Sequence, residues 1–518
     1  MNTLTAAVIL LLPAFVYFYR NRKRSRAHLP PGPLRLPLVG NLFNAPSGSE
    51  WKTYAEWSKK YESDILYMNV LGTHIVILNS RELAVELLDK RSRIYSGRPS
   101  SCMAWDLIGC DWMTASLPYD DTWRLARRLL AKYFSRSPST NTARFMDFEW
   151  QRPHVTKYTH IFLRSLLQAP DSFMDHTFRL AGSISLSSAY GLDIAPGDNK
   201  YVALAQKALE GLKLALVPGR FLVDTFPMLR FAPDWVAFKK QAKVWKEDLE
   251  VFLEVPFHDA KLSLSARSNR ANIPSIISQE HSDKATEVTD ERILKGASAT
   301  VFMGGTSTTA ASMDVFFLAM TCHPAIQKRA QEEIDLLLTR LGQGLPTHDD
   351  LSHLPYCMTI VFEVLRWETA GPISIPHLNI EDDVYEGYWI PRNSIIIPNV
   401  WAMTRDPKIF PKPSEFRPER FLRADGTLNG AMVKEAEIVF GFGRRVCAGK
   451  SMGVSIMAYA ICCVLATFDI GKKLDGNENP IEPRHEFESA VTSGPLPFLC
   501  SIKPRSPVAE KVVLELFE

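Results

Sequence analysis

The residues most able to do chemistry lie in one run near the C-terminus, Phe440-Gly441-Phe442-Gly443-Arg444-Arg445-Val446-Cys447-Ala448-Gly449. Its glycines let backbone approach a ligand closely and let amides point at a sulfur. Cys447 precedes a helix expected to begin near Gly449, and the positive end of such a helix favours a thiolate. Arg445 can pair with a carboxylate. A thiolate-ligated haem needs this set: a deprotonated sulfur, amides that moderate its charge, and a cation for a propionate. The plain alternative for a lone loop cysteine is burial as a small apolar side chain. Two other patterns overlap the run. Gly449-Lys450-Ser451-Met452-Gly453 has Gly-x-Ser-x-Gly spacing, but a Gly/Arg loop and not a strand leads into the serine. The stretch from Gly443 to Gly449-Lys450-Ser451 approaches a phosphate loop, with five intervening residues where that motif has four.

Three further constellations carry charge or hydroxyls. In Glu363-Val364-Leu365-Arg366 the two charges share a helix face. Alone this reads as a surface ion pair. The apolar flanks (Ile360, Val361, Phe362, Trp367) point instead to burial, and a buried pair needs further partners. Arg420, in Phe416-Arg417-Pro418-Glu419-Arg420-Phe421, is offered as one. Gly304-Gly305-Thr306-Ser307-Thr308-Thr309 falls mid-way along a long helical stretch. Two interior glycines cost about 1 kcal/mol each against alanine. A cofactor face, a helix distortion or a small-residue packing seam would each explain them. Thr308 can bond back to a carbonyl or to dioxygen. Trp123 and Arg127 lie one turn apart and can hold one anion together.

The chain that must position these residues has 518 amino acids, 46% hydrophobic and 23% charged, the balance of a folded protein. The net charge is +3. Arg20, Arg22, Lys23, Arg24 and Arg26 form one basic run, and the rest is close to neutral. A body without basic excess argues against a nucleic-acid partner. Eight scattered cysteines without a Cys-x-x-Cys pair suggest reduced thiols and no zinc site. Residues 4–19 carry no charge and as helix would span ~24 Å, close to a thin membrane core. The basic run that follows stays cytosolic by the positive-inside rule. A cleaved leader would need a basic start and a small-residue cleavage site, and neither is present. The dense prolines of Leu29-Pro30-Pro31-Gly32-Pro33 and Pro37 predict a stiff extended linker or hinge.

Residues 65–70 and 74–78 alternate as paired strands across Gly72. Thr289-Asp290-Glu291 opens a helix expected to run to Thr321, before Cys322-His323-Pro324. Its small, apolar middle belongs in a core with room beside it for something flat. Helices are also expected from Pro324 and over 354–369, and the polar stretch 263–290 reads as an exposed connection. The fold class is therefore mainly α with a small β portion. It comprises an anchor (1–19), a basic and proline-rich hinge (20–45) and one catalytic domain (46–518).

In this order along the chain, the Pro-Pro-Gly-Pro hinge, Trp123-x-x-x-Arg127, the Gly304–Thr309 helix, Glu363-x-x-Arg366, Pro418-Glu419-Arg420-Phe421 and the Cys447 loop resemble the cytochrome P450 haem-thiolate monooxygenases. The resemblance covers nearly the whole chain. Ile94-Tyr95-Ser96-Gly97-Arg98-Pro99 and Val217-Pro218-Gly219-Arg220-Phe221 look like fungal, especially basidiomycete, microsomal members, similar to an O-methylsterigmatocystin oxidoreductase-like group.

The resemblance implies the cytochrome P450 fold and haem b, with Cys447 as its axial iron ligand. It implies that Trp123, Arg127, His377 and Arg445 hold the propionates and that Phe440, Gly443 and Gly449 shape the cofactor loop. Thr308, with Ser307 before it, would help deliver protons to dioxygen. Glu363, Arg366 and Arg420 would brace the cysteine loop as part of the catalytic set. The substrate pocket would draw on residues 100–117, 205–240, 300–305, 371–375 and 491–494. Partners would be an apolar small molecule and NADPH–cytochrome P450 reductase, with cytochrome b5 as an optional second donor. The site would be the endoplasmic reticulum membrane, with the catalytic domain cytosolic and a role in secondary metabolism or xenobiotic oxidation.

A haem-thiolate isomerase or dehydratase, and a non-catalytic haem or ligand binder, are the alternatives. Thr308 weighs against the isomerase and Ser307 weakly for it. Two departures matter. The family usually has Asp or Glu where this chain has Ser307, and Trp235-Val236-Ala237-Phe238 is short of an expected Pro-Gly segment. Ser307→Asp is therefore expected to raise product formed per NADPH; equal yields in the two proteins would overturn that.

Overall fold

The computed structural model describes residues 28–134, 150–195, 200–216, 220–265 and 291–516. The expected anchor over 1–19, the basic run, most of the polar connection and Val217–Gly219 lie outside the described residues.

The chain enters along the edge of a sheet. Helix α1 (Glu50–Lys60) leads into strands β1 (Ile65–Val70) and β2 (Thr73–Leu78), which pair antiparallel with Leu66 opposite Ile77. The hairpin turns at Leu71 and Gly72, both at positive φ. The proline-rich segment is clipped to this sheet and is not a free spacer. Tyr67 N–H donates to the Pro31 carbonyl at 2.9 Å. Asn41 is wholly buried; its amide donates to the Pro33 carbonyl (3.1 Å) and its Oδ1 accepts from Asn69 N–H (2.9 Å).

Helices make up the body: α2 (Asp121–Phe134), α3 (Arg152–Gln168), α4 (Phe173–Tyr190), α5 (Lys200–Ala215), α6 (Ala237–Ser265) and the long α7 (Glu291–Cys322). The expected stop of α7 holds. His323, forced out of helical geometry by the proline after it, ends α7, and Pro324 begins α8 (Pro324–Leu341). Helix α9 (Pro355–Trp367) carries the Glu363–Arg366 pair. Small strands follow: β3 (His377–Leu378), β4 (Asp383–Tyr385), β5 (Tyr388–Ile390) and β6 (Ile395–Pro398). The order β1-β2-β6-β3 makes one sheet, with β2 and β6 parallel, while β4 and β5 form a separate hairpin. Helix α10 (Lys450–Thr467), β7 (Phe468–Gly471), β8 (Ser501–Pro504) and α11 (Pro507–Glu515) close the chain.

The core is α7 threaded between α4, α9 and α10. Helix α10 has the length and composition of a membrane span, yet it is buried from Val454 to Thr467. Its apolar character comes from lying in the protein interior.

Candidate active site

A cavity of about 360 Å³ lies between α7, α2 and the loop that leads into α10. Helix α7 shows why. Thr300, Val301, Gly304 and Thr308 recur at helical spacing, line the cavity and are among the open positions in the middle of a mostly buried helix. The two interior glycines have different jobs. A Cβ on Gly304 would meet nothing, because it faces the cavity. A Cβ on Gly305 would lie 2.4 Å from Ser185 Oγ, because α4 packs there. Gly304 thus opens onto the cavity, while Gly305 lines it and also belongs to the packing seam with α4. Thr308 Oγ1 donates back to the Gly304 carbonyl at 2.7 Å. Ser307 is buried, its hydroxyl 3.4 Å from the Met303 carbonyl, and it does not line the cavity.

Cys447 opens onto the same cavity. Its surface is exposed only inward, and its sulfur lies deep in the body. The turn that holds it is closed by Cys447 N–H donating to the Phe440 carbonyl at 2.7 Å. Burial pushes the Cys447 thiol up; the Gly449 amide directed at the sulfur, Arg127 and Lys450 pull the other way. Metal binding would release that proton. Phe440 and Gly449 line the cavity as expected, but Gly443 does not. It takes φ +51° and a Cβ there would sit 2.2 Å from the Leu88 carbonyl, so its glycine serves packing on the 85–90 turn.

Cations line one side of the cavity. Arg445 lies 4.5 Å over the Trp123 ring and donates to the carbonyls of Ser96 (2.9 Å) and Leu117 (2.8 Å). Its Nη1 is buried with no partner. Burial first, and then Arg127, pulls its pKa down to about 10. Arg127 Nη2 donates to the Val446 carbonyl at 2.5 Å, tying α2 to the cysteine loop. Arg98, buried, donates to the carbonyls of Ala115 (2.9 Å), Ile375 (2.7 Å) and Pro376 (2.8 Å). With Arg444, four guanidinium groups line this cavity and no Asp or Glu does, among the described residues. Arg98 is buried and Arg127 and Arg445 are half-buried, and cations gathered on a cavity wall that offers no carboxylate favour an anionic ligand there. An orphaned guanidinium nitrogen, a cavity-facing sulfur and a flat helix face with no side chain at Gly304 fit a haem and its two propionates.

Some expected site residues lie elsewhere. His377 is buried, its Nδ1 2.8 Å from the Tyr95 carbonyl, and does not line the cavity. Burial, and then Arg98, holds it well below the usual histidine pKa. The carbonyls just before it hold Arg98, so the histidine backs the cation that reaches the cavity. Glu363, Arg366 and Arg420 do come together. Arg366 forms a two-bond fork on Glu363 (2.7 and 2.8 Å), and Arg420 Nε lies 3.1 and 3.2 Å from the two carboxylate oxygens. Arg417 N–H adds a bond of 2.7 Å, and Arg366 caps the carbonyls of Thr404 and Pro413. None of the three lines the cavity, so the cluster is a buried ion-pair network set away from the cavity wall and not part of it. Of the expected pocket segments, the described residues of 205–240 contribute no lining residue. Arg98 was missed: Gly97-Arg98-Pro99 has no spacing partner in the chain to mark it.

Comparison with known proteins agrees with this geometry. The Cytochrome P450 family profile matches residues 30–500. The chain is 39% identical to "Cytochrome P450 monooxygenase ple1" of Rhodocybe pseudopiperita, over 99% of this chain and 97% of that protein. It is 38% identical to "Cytochrome P450 monooxygenase 208" of Postia placenta, over 99% and 98%. It is 36% identical to "Tryptamine 4-monooxygenase" of Psilocybe cyanescens, over 96% and 97%.

Proposed function

The chain belongs to the cytochrome P450 family of haem-thiolate monooxygenases, and on that premise we propose that it oxygenates a neutral, apolar small molecule at the membrane surface, with Cys447 as the sulfur ligand. The observation that carries the assignment of residues is the Cys447 sulfur opening onto a cavity whose charged groups, among the described residues, are all arginines. Bound haem would supply the activation of dioxygen by two electrons, for insertion of one oxygen atom into substrate and release of the other as water.

The chain's own residues do the rest. The Gly449 amide moderates the sulfur's charge. Arg98, Arg127 and Arg445, with Trp123 stacked under Arg445, would hold the propionates. Thr308 has one hydroxyl hydrogen and spends it on the Gly304 carbonyl. Its lone pairs are left for water in the cavity, so Thr308 positions a water that carries protons. The apolar walls keep bulk water away from the reacting atoms. Electrons would come from NADPH–cytochrome P450 reductase. Oxygenated product formed with NADPH and reductase, and none with either omitted, is the expected result; no product with NADPH and reductase, together with isomerisation or dehydration of a hydroperoxide in their absence, would overturn the reading.

The substrate's charge follows from the lining. With those arginines turned to the propionates, an ammonium group such as that of tryptamine would find no carboxylate among the described lining residues to pair with. N-acetyltryptamine, which is neutral, is expected to perturb the haem absorbance at lower concentration than tryptamine at pH 7. Equal or reversed affinities would refute this.

Membrane association has support beyond the N-terminal run. Leu222, Met228, Phe231 and Trp235 are exposed, as are Leu38 and Phe43. Large apolar side chains grouped on a surface mark a membrane or protein contact. Phe231→Glu/Trp235→Glu in a chain lacking residues 1–27 is expected to reduce co-sedimentation with phospholipid vesicles several-fold. Unchanged sedimentation would remove these residues from the membrane contact.

A further inference from the structure

Helices α4 and α7 pack antiparallel along their length. Thr177 meets Asp314, Gly182 meets Thr306, Ser185 meets Gly305 and Tyr190 meets Phe302. The seam between them contains hydroxyls that nothing satisfies. Ser185, Ser188 and Tyr190 on α4 and Ser298 on α7 are at most 1% exposed and have no hydrogen-bond partner. The pattern is unusual even for this helix pair. The hydroxyls of Thr300, Thr306, Thr308 and Ser312 all bond back to the carbonyl four residues earlier. A buried hydroxyl without a protein partner is, in native proteins, met by ordered water.

The seam reaches the cavity at one point. Gly305 lines the cavity and also abuts Ser185 Oγ, so only a residue without a side chain separates that hydroxyl from the cavity. Ser188 follows three residues on, on the same face of α4. Tyr190 ends the helix, close in sequence to the exposed Asp193. The one-turn gap between Ser185 and Ser188 is a span that a single water bridges.

We propose that Ser185, Ser188, Tyr190 and Ser298 hold a file of internal water in the α4–α7 seam, and that Ser185 passes protons from it through the Gly305 gap to the water at Thr308. Each hydroxyl or water accepts a proton from the solvent side and releases one towards the cavity. One proton moves inward, and no group is left oxidised or reduced. The file takes the place of the carboxylate that Ser307 lacks, since Ser307 is turned to the Met303 carbonyl. Ser185 is a positioning residue here; it touches no reacting atom. The inference rests on the monooxygenase reading.

The test compares wild type, Ser185→Ala and Ser298→Ala, all haem-loaded, with two measurements. The first is thermal. A hydroxyl that binds water loses those bonds on substitution and Tm falls by about 1 °C; a dry, orphaned hydroxyl is relieved by alanine and Tm rises. This readout is independent of turnover, so it stands even if the monooxygenase reading fails. The second is run with NADPH and reductase and no substrate, where each O2 takes two electrons and two protons to peroxide or four of each to water. Both variants are expected to form several-fold more peroxide relative to water, with the carbon monoxide difference spectrum unchanged. A raised Tm, or an unchanged peroxide-to-water ratio, overturns the proposal. Ser298→Ala, on the other helix, keeps the test open if Ser185→Ala does not fold.

Discussion

Cys447→Ala is expected to abolish the strongly red-shifted absorbance band of the reduced, carbon monoxide-treated protein and to reduce NADPH-dependent oxygenation more than about 1,000-fold. The turn around Cys447 is held by its backbone N–H on the Phe440 carbonyl, a bond that alanine keeps. The variant should therefore fold, with a circular dichroism spectrum like that of wild type. No other cysteine can take over. Cys102, Cys110, Cys357, Cys462, Cys463 and Cys500 are buried and Cys322 is half-buried, and none of them lines the cavity. A red-shifted band that persists in Cys447→Ala would mean the ligand is not this sulfur.

The second large effect is on stability. Glu363→Gln is expected to cost about 3–5 kcal/mol, because it leaves Arg366 and Arg420 buried without a counter-charge. For a domain of this size that is a Tm fall of roughly 3–5 °C. Haem occupancy should fall with it. Arg366 ties α9 to the carbonyls of Thr404 and Pro413, and Arg420 ties the same carboxylate to the Pro411 carbonyl. Glu363→Gln/Arg420→Met should recover part of the loss, since it removes one of the two uncompensated cations. A single variant as stable as wild type would show that the pair contributes nothing net. A double variant no better than the single would show that the loss comes from packing.

Local chemistry was legible in the sequence where the signal is short-range. The hairpin, the span of α7 and the Glu363–Arg366–Arg420 cluster all rest on spacing or on apolar flanks. The facing of individual residues on α7 was not. That helix is buried on nearly every side, so its hydrophobic pattern is flat and cannot say that Gly304 faces a cavity while Gly305 faces Ser185. His377 and Arg98 show the same limit in three dimensions. Only the folded β-sheet region places the Ile375 and Pro376 carbonyls around Arg98. Gly443 was read from a loop rich in glycine, but its need for glycine comes from Leu88, some 350 positions earlier.

The clip between the proline-rich segment and β1 sets a boundary for anyone re-engineering the N-terminus. Asn41 and Pro31 belong to the body, because their bonds to Asn69 and Tyr67 close the sheet edge. A soluble or chimaeric version should therefore be spliced ahead of His28, where Trp389 N–H still finds the His28 carbonyl. A cut after the prolines would uncover a strand edge and the apolar residues beneath it. Such a product would be more prone to self-association than one spliced ahead of His28.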